Sequence, residues 1–421
     1  MRVDRRTVLT GAAAMQMIPG IAAAATSLAR DEAHWAQIAG QDDVTRDVIQ
    51  LENGNWGMMA KPVLAAYETA IARVNRDTSY YARRGMGADL RGVRARVAAF
   101  AGLRPDELVF TRNATEALKA LIAGYNRLKP GDALLIADLD YDSMQAAMAA
   151  RARQSGAELV RIALPEPATH QALIDAYSAA FDAHPRMRLA LVTHVSHRTG
   201  LVLPVREIVA LARARGIDVI VDAAHSWGQI DFTLAEIGAD FIGVNLHKWI
   251  GAPLGVGAMV LRRDRLDAID PDPGDEGDHG DSIDARIHTG TPDYAALLTV
   301  PAALDFQASI GGPAREARLR ALRDHWAEGL RDLDGLQVLT PADPRLHVGI
   351  TSFRVRGRTS VEDNIAVARA LLDDHRIFAV HRAGVAAGAC VRITPALFNS
   401  MADMEALRRA LVPVVKRFAT G

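Results

Sequence analysis

The chain has 421 residues, 49% hydrophobic, 24% charged and 5% aromatic, enough for two or three domains and for a core that needs neither metal nor disulfide to hold it. With 49 basic against 50 acidic side chains the net charge is −1, so there is no basic field to draw in a phosphate backbone and nucleic acid is not an expected partner. The composition also excludes disorder, a collagen repeat and a multispanning membrane protein.

The first stretch reads Asp4-Arg5-Arg6-Thr7-Val8-Leu9 and runs into an Ala-rich apolar segment to Ala29, broken by Gly11, Pro19 and Gly20. An arginine pair ahead of a short, interrupted apolar run has the outline of a twin-arginine export signal rather than of a membrane span. Residues 1–29 are therefore expected to be a leader handled by the twin-arginine export machinery, with cleavage near Ala23 and Ala25 or near Ser27 and Ala29, and the mature protein to be periplasmic. That route carries folded cargo, so a cofactor acquired before export would explain its use. The single cysteine, Cys390, cannot pair within the chain and carries no information on compartment.

Beyond the leader, short β-branched apolar runs alternate with helical stretches, the rhythm of parallel βαβ units. Strands are predicted at 108–111, 133–137, 189–194, 218–222, 240–245 and 256–261, with Ala-rich amphipathic helices at 115–128, 143–154, 171–183 and 205–215. Short apolar strands bounded by polar turns suit a sheet covered on both faces. The acidic, Gly/Pro-rich run 270–284 lacks the ligand order of a calcium loop and reads as a solvated loop. After Pro301 the pattern changes to a long Arg-rich helix at 315–333 and shorter strands at 349–355 and 390–394. The expected division is an N-terminal segment and large domain over 30–300 and a small α+β domain over 301–421.

Chemistry gathers at the strand ends. Thr111-Arg112-Asn113-Ala114-Thr115-Glu116 turns a strand into a helix, where free amides, the helix dipole and the Thr115 hydroxyl make an anion cradle. A later strand delivers Asp222 at its carboxyl end, the side on which open α/β sheets bind ligands. A carboxylate there needs a cation. Ala223-Ala224-His225 then sets a small residue where a flat ring can lie, with an imidazole beside it. Farther on, Asn245-Leu246-His247-Lys248-Trp249 holds one of only five lysines in the chain. A protein that otherwise uses arginine keeps a lysine where an amine must shed its proton and form an imine, which a guanidinium cannot do. Lys248 and Asp222 together match the two needs of pyridoxal 5'-phosphate, an amine for its carbonyl and a carboxylate that keeps its ring nitrogen protonated. Neither GxGxxG nor GxxxxGK occurs, which argues against dinucleotides and nucleoside triphosphates.

Asn113-Ala114-Thr115-Glu116, Asp222-Ala223-Ala224-His225 and Asn245-Leu246-His247-Lys248-Trp249 together resemble the fold-type I pyridoxal-phosphate enzymes of the class V aminotransferase group, the isopenicillin N epimerase-like branch fitting best. The likeness runs from Leu51-Glu52-Asn53-Gly54 to Val391-Arg392-Ile393-Thr394-Pro395. It implies an α/β fold whose large domain has a mainly parallel seven-stranded sheet between helices, with a smaller α+β C-terminal domain. It further implies that Lys248 forms the imine with the cofactor, that Asp222 pairs with the ring nitrogen and that His225 approaches the ring hydroxyl. Tyr141 falls where the group stacks an aromatic ring on the cofactor. Ala114, Thr115, Asn245 and His247 match phosphate-side positions. Thr291 matches a residue given by the neighbouring subunit, which implies a homodimer with shared active sites. His197 stands where relatives often carry Asn, and Arg392 matches the binder of the substrate α-carboxylate, a contact its planar fork suits.

Cysteine desulfurases are related, but they carry a nucleophilic cysteine in a loop before that arginine. Here the stretch is Arg382-Ala383-Gly384-Val385-Ala386-Ala387-Gly388, and Cys390 is expected to be a packed thiol in a strand. Export combined with this catalytic set resembles the periplasmic enzymes that tailor the glutamate side chain of pyoverdine-type siderophores, removing its amino group to leave a succinamide-type end. The segments 53–59 and 80–84 fit that group. The alternatives are an amino-acid epimerase or aminotransferase of the same branch, a metal-dependent hydrolase built from His194, His197, His225, His247 and Asp222, and a catalytically idle binding protein. The hydrolase lacks an HExxH motif, and joint retention of Lys248, Asp222 and Arg392 argues against an idle fold.

Overall fold

The computed structural model describes residues 25–277 and 280–419. Arg5, Arg6, Ala23 and the apolar run up to residue 24 lie outside the described residues. Ala25 and Ala29 are within them and both are buried, the Ala29 carbonyl accepting from Arg318 Nη1 at 3.0 Å. Helix α1 (Glu32–Ala39) follows, its N-terminus capped by the Asp31 carboxylate and its Trp35 buried.

The chain continues through β1 (Ile49–Gln50), α2 (Lys61–Arg84), α3 (Met86–Ala101), β2 (Leu108–Thr111), α4 (Ala114–Gly124), β3 (Ala133–Ala137), α5 (Asp142–Ser155), β4 (Glu158–Ile162), α6 (His170–Ala183), β5 (Met187–Thr193), α7 (Val205–Arg213), β6 (Asp218–Asp222), β7 (Phe241–Asn245) and β8 (Gly257–Leu261). Strands β2 to β8 form a seven-stranded sheet of order β2-β8-β7-β6-β5-β3-β4. Strands β3 to β7 run parallel, and β8 is antiparallel to both β7 and β2. The predicted fold class is the observed one.

Period-two alternation divides the apolar residues between the two faces of this sheet. Leu135, Val192, Val221 and Val244 join one core with Trp227, while Leu134, Ile136, Leu191 and Ile220 join the other with Met144 and Leu118. Because helices cover both faces, β3, β7 and β8 are buried at every position, which is why they read as continuous apolar runs. Edge strand β4 escapes the sequence reading. Of its five residues only Val160 is buried, so Glu158 and Arg161 conceal it.

Helix α8 (Tyr294–Ile310) contains Pro301 and contributes Ala296, Val300, Ala303 and Leu304 to the large core, so the expected boundary at 300/301 falls inside it. Then come α9 (Gly312–Ala327), β9 (Leu336–Val338), β10 (Thr351–Val355), α10 (Val361–His375), β11 (Ile377–Phe378), β12 (Val380–Arg382), β13 (Cys390–Ile393) and α11 (Met401–Ala419). Strands β12-β13-β10-β9 make an antiparallel sheet. Strand β1 pairs in parallel with β11, so the smaller unit draws on both ends of the chain. Leu51, Trp326, Phe353 and Ile393 are buried in its core.

Candidate active site

A cavity of about 800 Å³ opens at the carboxyl ends of β5, β6 and β7 and is closed from the other side by residues 381–384 and Arg392 of the smaller unit. At its floor Lys248 Nζ lies 2.9 Å from His225 Nε2, and the indole N–H of Trp249 donates to His225 Nδ1 at 3.4 Å. An indole nitrogen can only donate, so Nδ1 accepts and the neutral ring carries its proton on Nε2. That proton points at an amine able to receive it only when unprotonated. The electrostatics agree: burial pushes the Lys248 ammonium down to about 8, against the partial support of Asp222. Burial and then the nearby Lys248 charge hold the His225 imidazolium well below its ordinary range.

Asp222 ends β6, 4% exposed. One of its oxygens accepts the Ala224 N–H at 2.9 Å, and burial raises its carboxyl above the ordinary range. A buried carboxylate with spare acceptor capacity is stabilised by a fixed cation, which a protonated pyridine nitrogen provides. Ala224 lines the same cavity. Beneath them Asp140 accepts from the Ala137 N–H and from the N–H and hydroxyl of Thr193. Its carboxyl is pushed up to about 7, chiefly by burial.

The expected anion cradle is arranged differently from its sequence outline. Asn113 caps α4, its side chain accepting from the Glu116 N–H at 2.8 Å, and the Ala114 N–H is taken by Asn245 Oδ1 at 2.8 Å. Ala114 and Asn245 thus tie α4 to β7, and Thr115, next along the helix tip, lines the cavity. Gly257 permits the approach, since a Cβ there would lie 2.6 Å from the Asn113 backbone. His247 Nδ1 contacts the Val256 carbonyl at 2.9 Å. A donor there leaves Nε2 as a bare lone pair, and burial keeps the ring neutral; a phosphate dianion would favour its protonated form.

Tyr141 lines the cavity with its ring edge-on to His197, centroids 5.2 Å apart. His197 is depressed well below its ordinary range by burial and then by Arg198 and Arg392, and its Nδ1 is buried without a partner. Arg392 is brought to the site with its side chain 1% exposed, gripped by Glu52. Thr291 is exposed on the loop before α8 and does not line the cavity of its own chain. Of the histidines in the metal-hydrolase alternative, His194 is half-buried and edge-on to Phe232. Cys390 is fully buried in β13, its thiol pushed up to about 11 by burial.

Two contributors escaped the sequence reading. Glu52 gives no sign of its partner in its own motif. Gly57, whose N–H donates to the His247 carbonyl at 2.9 Å, passes so close to Lys248 that a Cβ would sit 1.8 Å from the lysine carbonyl oxygen. The glycine-rich string 53–59 was its only signal. Taken together, the amine, the strand-end carboxylate, the small floor residue and the Thr115 tip fit pyridoxal 5'-phosphate.

A family model described as aminotransferase class-V matches residues 59–407. Isopenicillin N epimerase of Streptomyces clavuligerus is 31% identical over 398 residues, covering 90% of this chain and 98% of that protein. A putative L-cysteine desulfhydrase of Oryza sativa is 30% identical, covering 77% of this chain and 75% of that protein. Among solved structures, the cysteine desulfurase CsdA of Escherichia coli superposes with a TM-score of 0.75 at 21% identity, covering 91% of this chain and 98% of that chain.

Proposed function

The chain belongs to the aminotransferase class-V family, and from that premise we propose that it moves the α-proton of a substrate bearing a free α-amino group and α-carboxylate, with epimerisation as the outcome. It is a pyridoxal 5'-phosphate enzyme. The observation that carries the proposal is the 2.9 Å contact of Lys248 Nζ with His225 Nε2, at an amine on the cavity floor whose ammonium burial lowers to about 8. When bound, the cofactor supplies an electron-withdrawing ring beside the substrate α-carbon. Lys248 takes the α-proton as general base and returns it. His225 orients that amine by donating to it. Asp222 holds the positive charge opposite, and Arg392 meets the carboxylate end. The Cys390 thiol is sealed in a strand, which supports proton movement over sulfur transfer. The 31% identity to an epimerase across nearly the whole chain supports the same outcome.

The arginine pair Arg5-Arg6 favours a second reading, in which residues 1–29 direct twin-arginine export to the periplasm and the enzyme tailors the glutamate end of a pyoverdine-type siderophore by deamination. Replacing both arginines by lysine is then expected to hold active, cofactor-loaded protein in the cytoplasm, and unchanged periplasmic arrival counts against that route. One experiment separates the two chemistries. Purified holoenzyme is incubated in D₂O with isopenicillin N, or with a siderophore peptide carrying an unblocked glutamyl end, and the products are read by mass and chiral chromatography. Epimerisation gives deuterium at the α-carbon with inversion and the amino group retained. Loss of the amino group transfers the assignment to tailoring, and no exchange with either substrate removes both.

A further inference from the structure

The carboxylate-binding role expected of Arg392 meets a competitor within the chain. Glu52 occupies Arg392 Nη2 with both oxygens, at 2.6 and 2.8 Å, and the His197 carbonyl takes Nη1 at 2.6 Å. Nε is buried and has no hydrogen-bond partner. A guanidinium grips a carboxylate through one of two forks, Nε with Nη2 or Nη1 with Nη2. Nη2 belongs to both, so a bidentate contact with substrate must contend with Glu52 whichever fork it uses.

The same carboxylate reaches a second guanidinium, Arg382 Nη2, at 3.1 Å. Arg382 is the more open of the two, its side chain 27% exposed against 1% for Arg392, and its Nε is also buried without a partner. Two arginines and one glutamate leave the cluster one positive charge, which a single further carboxylate neutralises. Glu52 does not line the catalytic cavity. It lines an adjoining one of about 570 Å³, with Trp56, Phe378 and Val380, and Arg382 forms a wall common to both. A carboxylate displaced from Arg392 therefore has space to turn into without leaving Arg382.

We propose that Glu52 is an internal stand-in for the substrate carboxylate. It holds the two guanidinium groups in place while substrate is absent and yields Arg392 Nη2 to an incoming carboxylate by turning toward the adjoining cavity, still paired with Arg382. The proposal rests on the reading that the substrate brings a carboxylate. It makes Glu52 a specificity determinant, because binding exchanges one carboxylate for another and a neutral ligand, which cannot replace the charge, leaves the clasp shut.

Succinate, which has no amino group to react with the cofactor, is the probe, and neutral succinamide its control. Affinity for the holoenzyme is measured by calorimetry, and thermal midpoints are recorded with and without succinate, for wild type, Glu52→Gln and Glu52→Asp. Removing the competing charge is expected to tighten succinate binding by at least about tenfold in Glu52→Gln. Its thermal midpoint falls in plain buffer, because the buried Arg392 and the half-buried Arg382 lose their counter-ion, and succinate restores more of it than it adds to wild type. Succinamide does neither. Glu52→Asp, which keeps the charge on a shorter arm, is expected to lie between, and it carries the test if the glutamine variant does not fold. Equal or weaker succinate binding in both variants, without extra rescue, overturns the stand-in and leaves the carboxylate substrate in place. No succinate binding to any of the three proteins overturns both.

Discussion

The distinction that matters most for single residues is between those whose type the chemistry dictates and those whose role a distant partner creates. Lys248 is of the first kind. Burial lowers its ammonium to about 8, below the free-lysine value, so between these two values the folded protein binds fewer protons than the unfolded chain and its free amine is present above about 8. Apo-protein is therefore expected to capture added pyridoxal phosphate faster as pH rises through about 8 and to level off beyond it. Stopped-flow absorbance across that range checks this, and a rate that does not change with pH would remove the lowered lysine from the account. Borohydride is expected to fix the cofactor mass on Lys248, and Lys248→Ala to abolish both that adduct and turnover. Asp222 is read from its strand end in the same way, because few side chains can serve a protonated ring nitrogen, whereas His225, expected at the ring hydroxyl, meets the Lys248 amine in the structure. Glu52 was not legible: its partner Arg392 lies 340 residues away in sequence, and no local pattern encodes such a meeting. Gly57 was half legible, as part of a string whose purpose only the backbone approach to Lys248 explains.

Among the elements, the α4 N-terminus joins stability to binding most directly. Asn113→Ala removes the cap on the Glu116 N–H and is expected to cost about 1 kcal/mol. It is also expected to speed cofactor release, since the Thr115 donors sit in the turn that the cap orders. Thermal unfolding and dialysis-driven loss of absorbance read the two effects, and a stability loss with unchanged release would confine Asn113 to a structural role. Helices α4 to α7 were legible from their amphipathic period, and the interior strands as short continuous apolar runs. Strands β3 and β6 came out at their sequence-read bounds, Ala133–Ala137 and Asp218–Asp222. Strand β4 was hidden by the half-polar pattern of an edge, and the Arg-rich helix ends at Ala327 rather than 333, where a short 3₁₀ turn replaces it.

For the whole molecule, the open question is what a second copy adds. Thr291 lies exposed outside its own cavity, which favours its expected service to a partner's site in a homodimer. Thr291→Ala is then expected to keep the dimer but weaken cofactor retention. Mixing it with Lys248→Ala is expected to restore about a quarter to a half of wild-type activity, because a mixed dimer assembles one intact site. Light scattering and activity of the mixture check this, and a monomer in solution would sink it. The change of pattern near Pro301 falls within α8, which contributes Ala296 and Val300 before it and Ala303 and Leu304 after it to the large core. Strand β1 had no signal at all, since two residues paired with β11 carry no period. That small ladder has a temporal consequence. Glu52 precedes Arg392 by 340 residues, so the clasp cannot close on any nascent chain that has not yet reached the strand bearing Arg392. Until those 340 residues have followed it, Glu52 waits without the guanidinium it is to hold.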